Sequence, residues 1–239
     1  MIDVAVSYGF GNENRYNVQY VPESIQLALY KYDLYLKYKD ELLAQLHEHK
    51  TKVRTIHLPI DTLKREYKDT FDMIYMGLKE FNCTHYVIHP NKFIQDFIDQ
   101  FLKSGLPVKL CIENFQWRSN KVYRTPLNII ERIIEQGEYD GRQNLRMTFD
   151  TTHADEVWFD HRVLPFLLKY TSVIHLSNRA KGISDHMPFN DPRGKLNLVG
   201  FVHDLKYKYK WRGIIVLEYM EEYRDKLQKN YHYLKKLVT

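Results

Sequence analysis

Residues 86–114, YVIHPNKFIQDFIDQFLKSGLPVKLCIEN, decide the fold. Two short apolar runs, Tyr86–His89 and Val108–Glu113, flank Phe93–Ser104, whose apolar positions recur with helical period. Each run reads as a strand buried on both faces, as in a parallel sheet. Strand, helix and strand in this order form a right-handed crossover unit. The unit recurs outward in both directions. Further strands are expected at Ile2–Ser7, Val53–Leu58, Leu145–Asp150, Ser172–Leu176 and Gly213–Glu218, with helical patterns over Pro22–Lys50, Glu66–Phe81, Pro126–Gln136, Val157–Tyr170, Val199–Tyr209 and Glu221–Leu237. Thr125 before Pro126 suits a helix N-cap, and Gly137 suits a left-handed C-cap. Seven strands are legible, and an eighth is expected as a short strand around Met187–Leu198. Eight units close into a (β/α)8 TIM barrel, the α/β fold expected for 1–239 as one domain. An open doubly wound sheet is the alternative. The turn after the first strand, Tyr8-Gly9-Phe10-Gly11-Asn12-Glu13, lacks the third glycine of a dinucleotide loop, and there is no P-loop.

The 239 residues suit one closed barrel. An apolar content of 44% allows a large core and argues against disorder. A net charge of +5 tolerates an anionic substrate without indicating nucleic acid. Cys83 and Cys111 are too few for a disulfide framework and lie in apolar stretches, so buried free thiols in a reducing compartment are expected. Met1 leads straight into a strand-like run, and no stretch approaches the ~20 apolar residues of a membrane span. A soluble, cytoplasmic protein is expected, with no membrane partner.

What ends each strand carries the functional signal. The strands finish on His57, His89, Glu113, Asp150, His175 and Glu218, and His153 follows Asp150 by three residues. In a barrel the carboxyl ends of all strands converge on one mouth, where sites are built. Imidazoles and carboxylates are the ligands of Zn²⁺, Mn²⁺, Co²⁺ and Mg²⁺. Carboxylates crowded without a cation repel one another, so a divalent metal is expected as cofactor. Taken alone, Asp150 before Thr151-Thr152 also suits the capping of a turn. The remaining histidines serve as a control. His47, His49, His161, His203 and His232 fall in helical patterns or their ends, His85 begins a strand, and none is assigned a function. Lys206-Tyr207-Lys208-Tyr209-Lys210 reads as a helix surface with snorkelling lysines rather than a nucleic-acid patch.

In this pattern the chain resembles the xylose-isomerase-like TIM-barrel superfamily, which includes sugar-phosphate isomerases and epimerases and endonuclease IV. The resemblance rests on His57-Leu58-Pro59, Val87-Ile88-His89-Pro90, Ile112-Glu113-Asn114, Asp150 with His153, His175, Asp185-His186-Met187-Pro188 with Gly194, and Glu218. It implies that Glu113, Asp150, His175 and Glu218 form the principal metal site. It also implies that His57, His89, His153 and His186 bind substrate or further metals, as in a three-zinc nuclease. Two departures stand out. Ser184 takes the place of an aspartate two residues before His186, with Asp185 adjacent, and Ser177-Asn178-Arg179 replaces the aspartate that isomerases carry after the sixth-strand histidine.

The resemblance implies a metal-dependent isomerase or epimerase of a small sugar or sugar phosphate. In it, Glu113 and Glu218 exchange a proton at carbon through an enediolate, and Arg179 or Lys181 holds a phosphate. The alternative is a zinc-dependent endonuclease at abasic sites, the only reading with a nucleic-acid partner. The histidine set and the basic balance favour it, while the compact chain leaves little room for loops that grip a duplex. A third possibility is a dehydratase or a metal-retaining binding protein, since one barrel hosts many reactions. Metal count separates the first two: one ion per chain for the isomerase, three for the nuclease.

Overall fold

In a computed structural model, residues 1–10, 22–29, 32–59, 67–90, 94–114, 125–140, 144–180 and 184–239 of the chain are described. The barrel strands are β1 (Ile2–Phe10), β2 (Ser24–Leu29), β3 (Lys52–His57), β4 (His85–Ile88), β5 (Lys109–Glu113), β6 (Leu145–Asp150), β7 (Thr171–Leu176) and β10 (Gly213–Leu217). They close in the order β1-β10-β7-β6-β5-β4-β3-β2, every neighbouring pair parallel. The helices are α1 (Tyr32–Glu48), α2 (Lys68–Phe81), α3 (Ile94–Ser104), α4 (Pro126–Asp140), α5 (Leu164–Tyr170), α6 (Leu198–Tyr207) and α7 (Leu227–Val238). This is the (β/α)8 barrel expected from the strand–helix repeat. Among the described residues, no helix is long and apolar enough to cross a membrane.

The eighth strand lies elsewhere than expected. Pro22–Lys50 is not one helix: its first part is β2, wholly buried, and α1 follows it. Ser24-Ile25-Gln26-Leu27-Ala28-Leu29 is built mainly from good helix formers, and only Ile25 is β-branched, so local preference points the wrong way. Burial between β1 and β3 overrides it. Met187–Leu198 supplies no barrel strand. A short antiparallel pair, β8 (Asn178–Ala180) and β9 (Ser184–Met187), stands there as an excursion from β7, followed by turns up to α6. Gly137 lies inside α4 rather than beyond it. The expected Thr125 cap is present, its Oγ1 accepting from the Asn128 N–H at 3.2 Å. Val157–Tyr170 and Glu221–Leu237 each open with a 3-10 turn, Glu156–Phe159 and Glu221–Lys226, before α5 and α7.

Side chains alternate between the two faces of each strand. Tyr86 and Ile88, Leu110 and Ile112, and Ile215 and Leu217 point outward into the layer shared with the helices. Ala5, Val87, Cys111, Val173, Ile214 and Val216 form a separate apolar cluster that fills the lumen. Two residues further along β4, β5, β7 and β10 come His89, Glu113, His175 and Glu218. The period of two therefore puts an apolar plug low in the barrel and a polar layer directly above it. The plug keeps water from entering from below, so the polar layer meets solvent only at the mouth.

Two predictions follow from this packing. Gly77 of α2 sits against β3 and β4, where an added Cβ would press into Ile56 Cδ1 and the Tyr86 hydroxyl. That hydroxyl is anchored 2.8 Å from the Ile74 carbonyl and 3.1 Å from the Cys83 carbonyl. In an open helix Gly→Ala stabilises by up to ~1 kcal/mol. Here Gly77→Ala is expected to destabilise by about 1–3 kcal/mol, read as a lowered midpoint in denaturant titration; a raised midpoint would contradict this close approach. Cys83 and Cys111 are both buried free thiols. Burial pushes each up to about 12, so at pH 8 both stay protonated in the folded chain, whereas an unfolded thiol of pKa ~8.5 is partly thiolate. A thiol-reactive dye at pH 8 should therefore leave the native protein unlabelled and modify both cysteines in guanidinium. Rapid labelling of Cys111 in the native chain would show that the plug is open.

Candidate metal centre at the mouth of the barrel

Each site residue is delivered by the end of a strand: His57 by β3, His89 just past β4, Glu113 by β5, Asp150 by β6, His175 by β7 and Glu218 just past β10. Glu113, Asp150 and His175 form the floor and are buried, while Glu218, at 23% side-chain exposure, opens toward solvent. The sequence places these residues across more than half the chain, and the barrel brings them into one layer.

Among the described residues, three groups each bring their potential ligand atoms within 4.8 Å of one another: His57, His89 and Glu113; Glu113, Asp150 and His175; and Asp150, His153 and His186. Glu113 belongs to two groups and so does Asp150. The Nε2 atoms of His57 and His89 each lie 3.2 Å from Glu113 Oε2, and His175 Nδ1 is 3.4 Å from the same oxygen. Glu218 joins the second group, its Oε2 being 2.7 Å from His175 Nδ1. His153 Nε2 is 3.8 Å from Asp150 Oδ2, and the rings of His153 and His186 meet edge to face at 5.2 Å. The expected principal set, Glu113, Asp150, His175 and Glu218, is thus brought together, with His57, His89, His153 and His186 arranged on either side of it.

The surrounding hydrogen bonds reserve the inward atoms. His57 Nδ1–H donates to the Leu58 carbonyl at 2.9 Å, which leaves Nε2 facing Glu113. Asp150 Oδ1 accepts from the N–H groups of Thr152 and His153 at 2.6 and 3.1 Å, so this aspartate does cap a turn. Its other oxygen, Oδ2, is buried and makes no hydrogen bond. Asn114 braces the strand end beneath it: its Nδ2 donates to the Asp150 carbonyl at 3.0 Å, and its Oδ1 accepts from the Asp150 N–H at 2.7 Å. His186 sits at φ 51°, a left-handed conformation that a non-glycine residue adopts at a cost, and its Nδ1 lies 3.2 Å from the Ser177 hydroxyl.

Burial alone would keep His175 neutral, but the carboxylates of Glu218 and Glu113 outweigh it and hold its pKa well above the usual imidazole value. Burial would likewise raise Glu113, but His89, His175 and His57 outweigh it and hold the carboxyl well below the usual range. Glu218 is lowered too: burial is overcome by His175 and His186. His57 and His186 are raised against their burial, His57 chiefly by Glu113 and His186 chiefly by Asp150. In the metal-free chain protons therefore offset these carboxylates. His175 Nδ1, despite its short contacts, makes no hydrogen bond, and neither does Asp150 Oδ2. Buried polar atoms left so are costly. Lone pairs that converge without hydrogen-bond geometry suit a cation between them, and nitrogen with oxygen donors suits Zn²⁺, Mn²⁺ or Co²⁺. The residues fit a divalent metal.

Arg179, on β8, donates from Nη1 to the Thr152 carbonyl at 2.9 Å, next to His153. Asp185 lies on β9, and its side chain, like all of Lys181, is outside the described residues. His47, His49, His161, His203 and His232 are exposed on the outside. His85 opens β4 at the opposite end of the barrel, where burial with Lys109 and Arg146 pushes it down to about 4. Gln26, buried on β2, is a further member of the layer that the strand-end pattern does not mark; its Oε1 lies 3.0 Å from His175 Nε2. A lone glutamine in an apolar run was the available signal, hidden by the helical reading of that segment. Asn114 and Ser177 likewise carry no local signal, since their contacts appear only once the strands are assembled.

No protein-family model matches the sequence, and no curated protein does. Solved structures do share the fold. A D-tagatose 3-epimerase-like protein is 15% identical, with a TM-score of 0.65 over 99% of this chain and 100% of that one. The 3-keto-D-glucoside 4-epimerase from E. coli is 12% identical, with a TM-score of 0.65 over 99% and 100%. A xylose isomerase domain containing protein from Salmonella typhimurium is 13% identical, with a TM-score of 0.59 over 90% and 86%. At such identities the likeness is one of fold: the chain shares the closed TIM-barrel architecture of these proteins.

Proposed function

We propose that the mouth holds more than one divalent cation and that the protein is a metal-dependent phosphodiesterase of the endonuclease IV type, cleaving nucleic acid beside an abasic sugar. One observation carries this reading: Glu113 and Asp150 are each shared between two ligand groups, so three groups form one continuous cluster. A single-cation enzyme needs only the middle group. His57 with His89, and His153 with the strained His186, would then serve only to bind substrate, although each pair stands beside a carboxylate at ligand spacing. His57, His89 and Glu113 would hold one cation, Glu113, Asp150, His175 and Glu218 a second, and Asp150, His153 and His186 a third.

Cations in such sites supply Lewis-acid polarisation of substrate oxygens and offset negative charge that develops on a phosphoryl group. The chain's own residues do the rest. Glu218, the most open of the carboxylates, is placed to orient a water and accept its proton. Arg179, beside the third group, offers a planar guanidinium to a phosphate oxygen. Residues 115–124, between β5 and α4 in sequence, include Trp117, Arg118, Lys121 and Arg124 and no acid, a composition suited to backbone phosphate contact.

The second reading is a sugar isomerase or epimerase with Glu113 and Glu218 as acid and base. It is supported by the middle group, and by the naming of three fold neighbours as sugar epimerases or epimerase-like. Glu113 suits the part poorly. Three imidazole nitrogens lie within 3.4 Å of its Oε2, so that oxygen is already surrounded by its neighbours rather than open to a substrate carbon.

Metal analysis and two assays separate the readings. Protein purified without chelator is expected to carry more than one divalent ion per chain and to nick a duplex at an abasic analogue. His57→Ala should lose a cation while the chain stays folded. Glu218→Gln should lower the nicking rate by about 10²–10⁴-fold. One ion per chain, together with metal-dependent deuterium uptake beside the carbonyl of a sugar or sugar phosphate in D₂O, would establish the isomerase instead. Absence of any stoichiometric divalent ion would overturn both.

A further inference from the structure

Gln26 is the one wholly buried amide side chain aimed into the polar layer from β2 among the described residues. The register sets it between Ser7 of β1 and Thr55 of β3. Its partner is not on a neighbouring strand. β1 and β10 intervene on the short way round from β2 to β7, so the contact between Gln26 Oε1 and His175 Nε2, 3.0 Å long, crosses the lumen.

An imidazole can ligate a cation through one nitrogen only if that nitrogen is unprotonated, and the hydrogen bond made by the other nitrogen settles which one that is. A carbonyl oxygen can only accept. Gln26 Oε1 therefore requires the hydrogen on Nε2, which leaves Nδ1 to face Glu218 Oε2 at 2.7 Å, Glu113 Oε2 at 3.4 Å and Asp150 Oδ2 at 3.8 Å. The type of residue matters as well. A carboxylate at position 26 would accept equally but would add a further negative charge to a layer that already holds Glu113, Asp150 and Glu218. An apolar side chain would leave the Nε2 hydrogen buried without a partner and the ring free to exchange tautomers. The amide gives acceptance without charge. Gln26 Nε2, buried and without a hydrogen bond, shows that this side chain gains little for its own amide and is held for its oxygen.

We propose that Gln26 is a positioning residue that fixes the tautomer and ring orientation of His175, and so sets the affinity of the principal cation site. The inference rests on the metal-centre part of the function proposed above and not on the reaction catalysed there.

The test measures zinc affinity by competition with a chromophoric chelator in the full-length wild type, Gln26→Leu and Gln26→Glu, with thermal unfolding in excess chelator alongside. Gln26→Leu is expected to weaken the tightest site by about 10- to 100-fold. Its unfolding midpoint in chelator should not fall, because a buried amide hydrogen without a partner is removed at the same time. Gln26→Glu is expected to restore affinity, since a carboxylate accepts from Nε2–H as well as an amide does. A purely structural glutamine would lower the midpoint and leave zinc affinity unchanged, and that result overturns the proposal. Side-chain nitrogen NMR of zinc-loaded wild type needs no variant: the His175 proton is expected on Nε2, and a proton on Nδ1 overturns it even if Gln26→Leu fails to fold. Wild type that takes up no zinc is a different failure, which removes the metal centre itself and the inference with it.

Discussion

Three carboxylates, Glu113, Asp150 and Glu218, are drawn within 4 Å of a single buried nitrogen, Nδ1 of His175. Such a gathering of like charge is unfavourable in a protein interior unless positive charge accompanies it. The rest of the structure answers that constraint. Below, the apolar plug of Ala5, Val87, Cys111, Val173, Ile214 and Val216 removes water and makes each electrostatic interaction above it stronger. Around the rim, His57, His89, His153 and His186 supply nitrogen donors that are neutral or cationic as the site requires. Beneath the strand ends, Asn114 and the turn after Asp150 fix one oxygen of that aspartate so that the other is left for a ligand.

The same constraint separates stability from chemistry. Outward-facing residues such as Tyr86, Ile112 and Leu217 hold the helices, and inward-facing residues two positions apart switch from apolar to ionisable along a single strand. Position 111 is a thiol held inert by burial, and position 113 is a carboxylate held charged by its neighbours. Two residues on one strand, about 7 Å apart, thus lie in opposite electrostatic surroundings. The boundary between plug and site is a property of strand register.

That register explains what could be read from the chain. The strand-ending ionisable residues were legible because each follows a run of apolar residues, and the parallel repeat says that all such ends meet. The barrel was legible for the same reason. β2 was not, because Leu27, Ala28, Leu29 and Gln26 prefer a helix locally and become a strand only when β1 and β3 flank them. With β2 misread, the final strand had to be sought elsewhere, and the turns after β9 were the remaining space. Gln26 was lost with it. Its partner His175 is 149 residues away in sequence, and no local pattern marks such a contact. Gly137 misled in the opposite sense: a glycine near a helix end usually stops it, yet α4 runs on to Asp140.

The pairing of β1 with β10 joins the first strand of the chain to the last strand of the barrel. A polypeptide emerging from the ribosome can form β1 through β7 as an open sheet, but the ring cannot shut until residues 213–217 are available. Until then β1 and β7 each present an unpaired edge, and such edges invite pairing with other chains. Contacts of this sequence separation also make folding slow, because the loop they close is nearly the whole chain. Glu218 immediately follows the strand that shuts the ring, so the ligand layer is completed by the same late event that removes both edges.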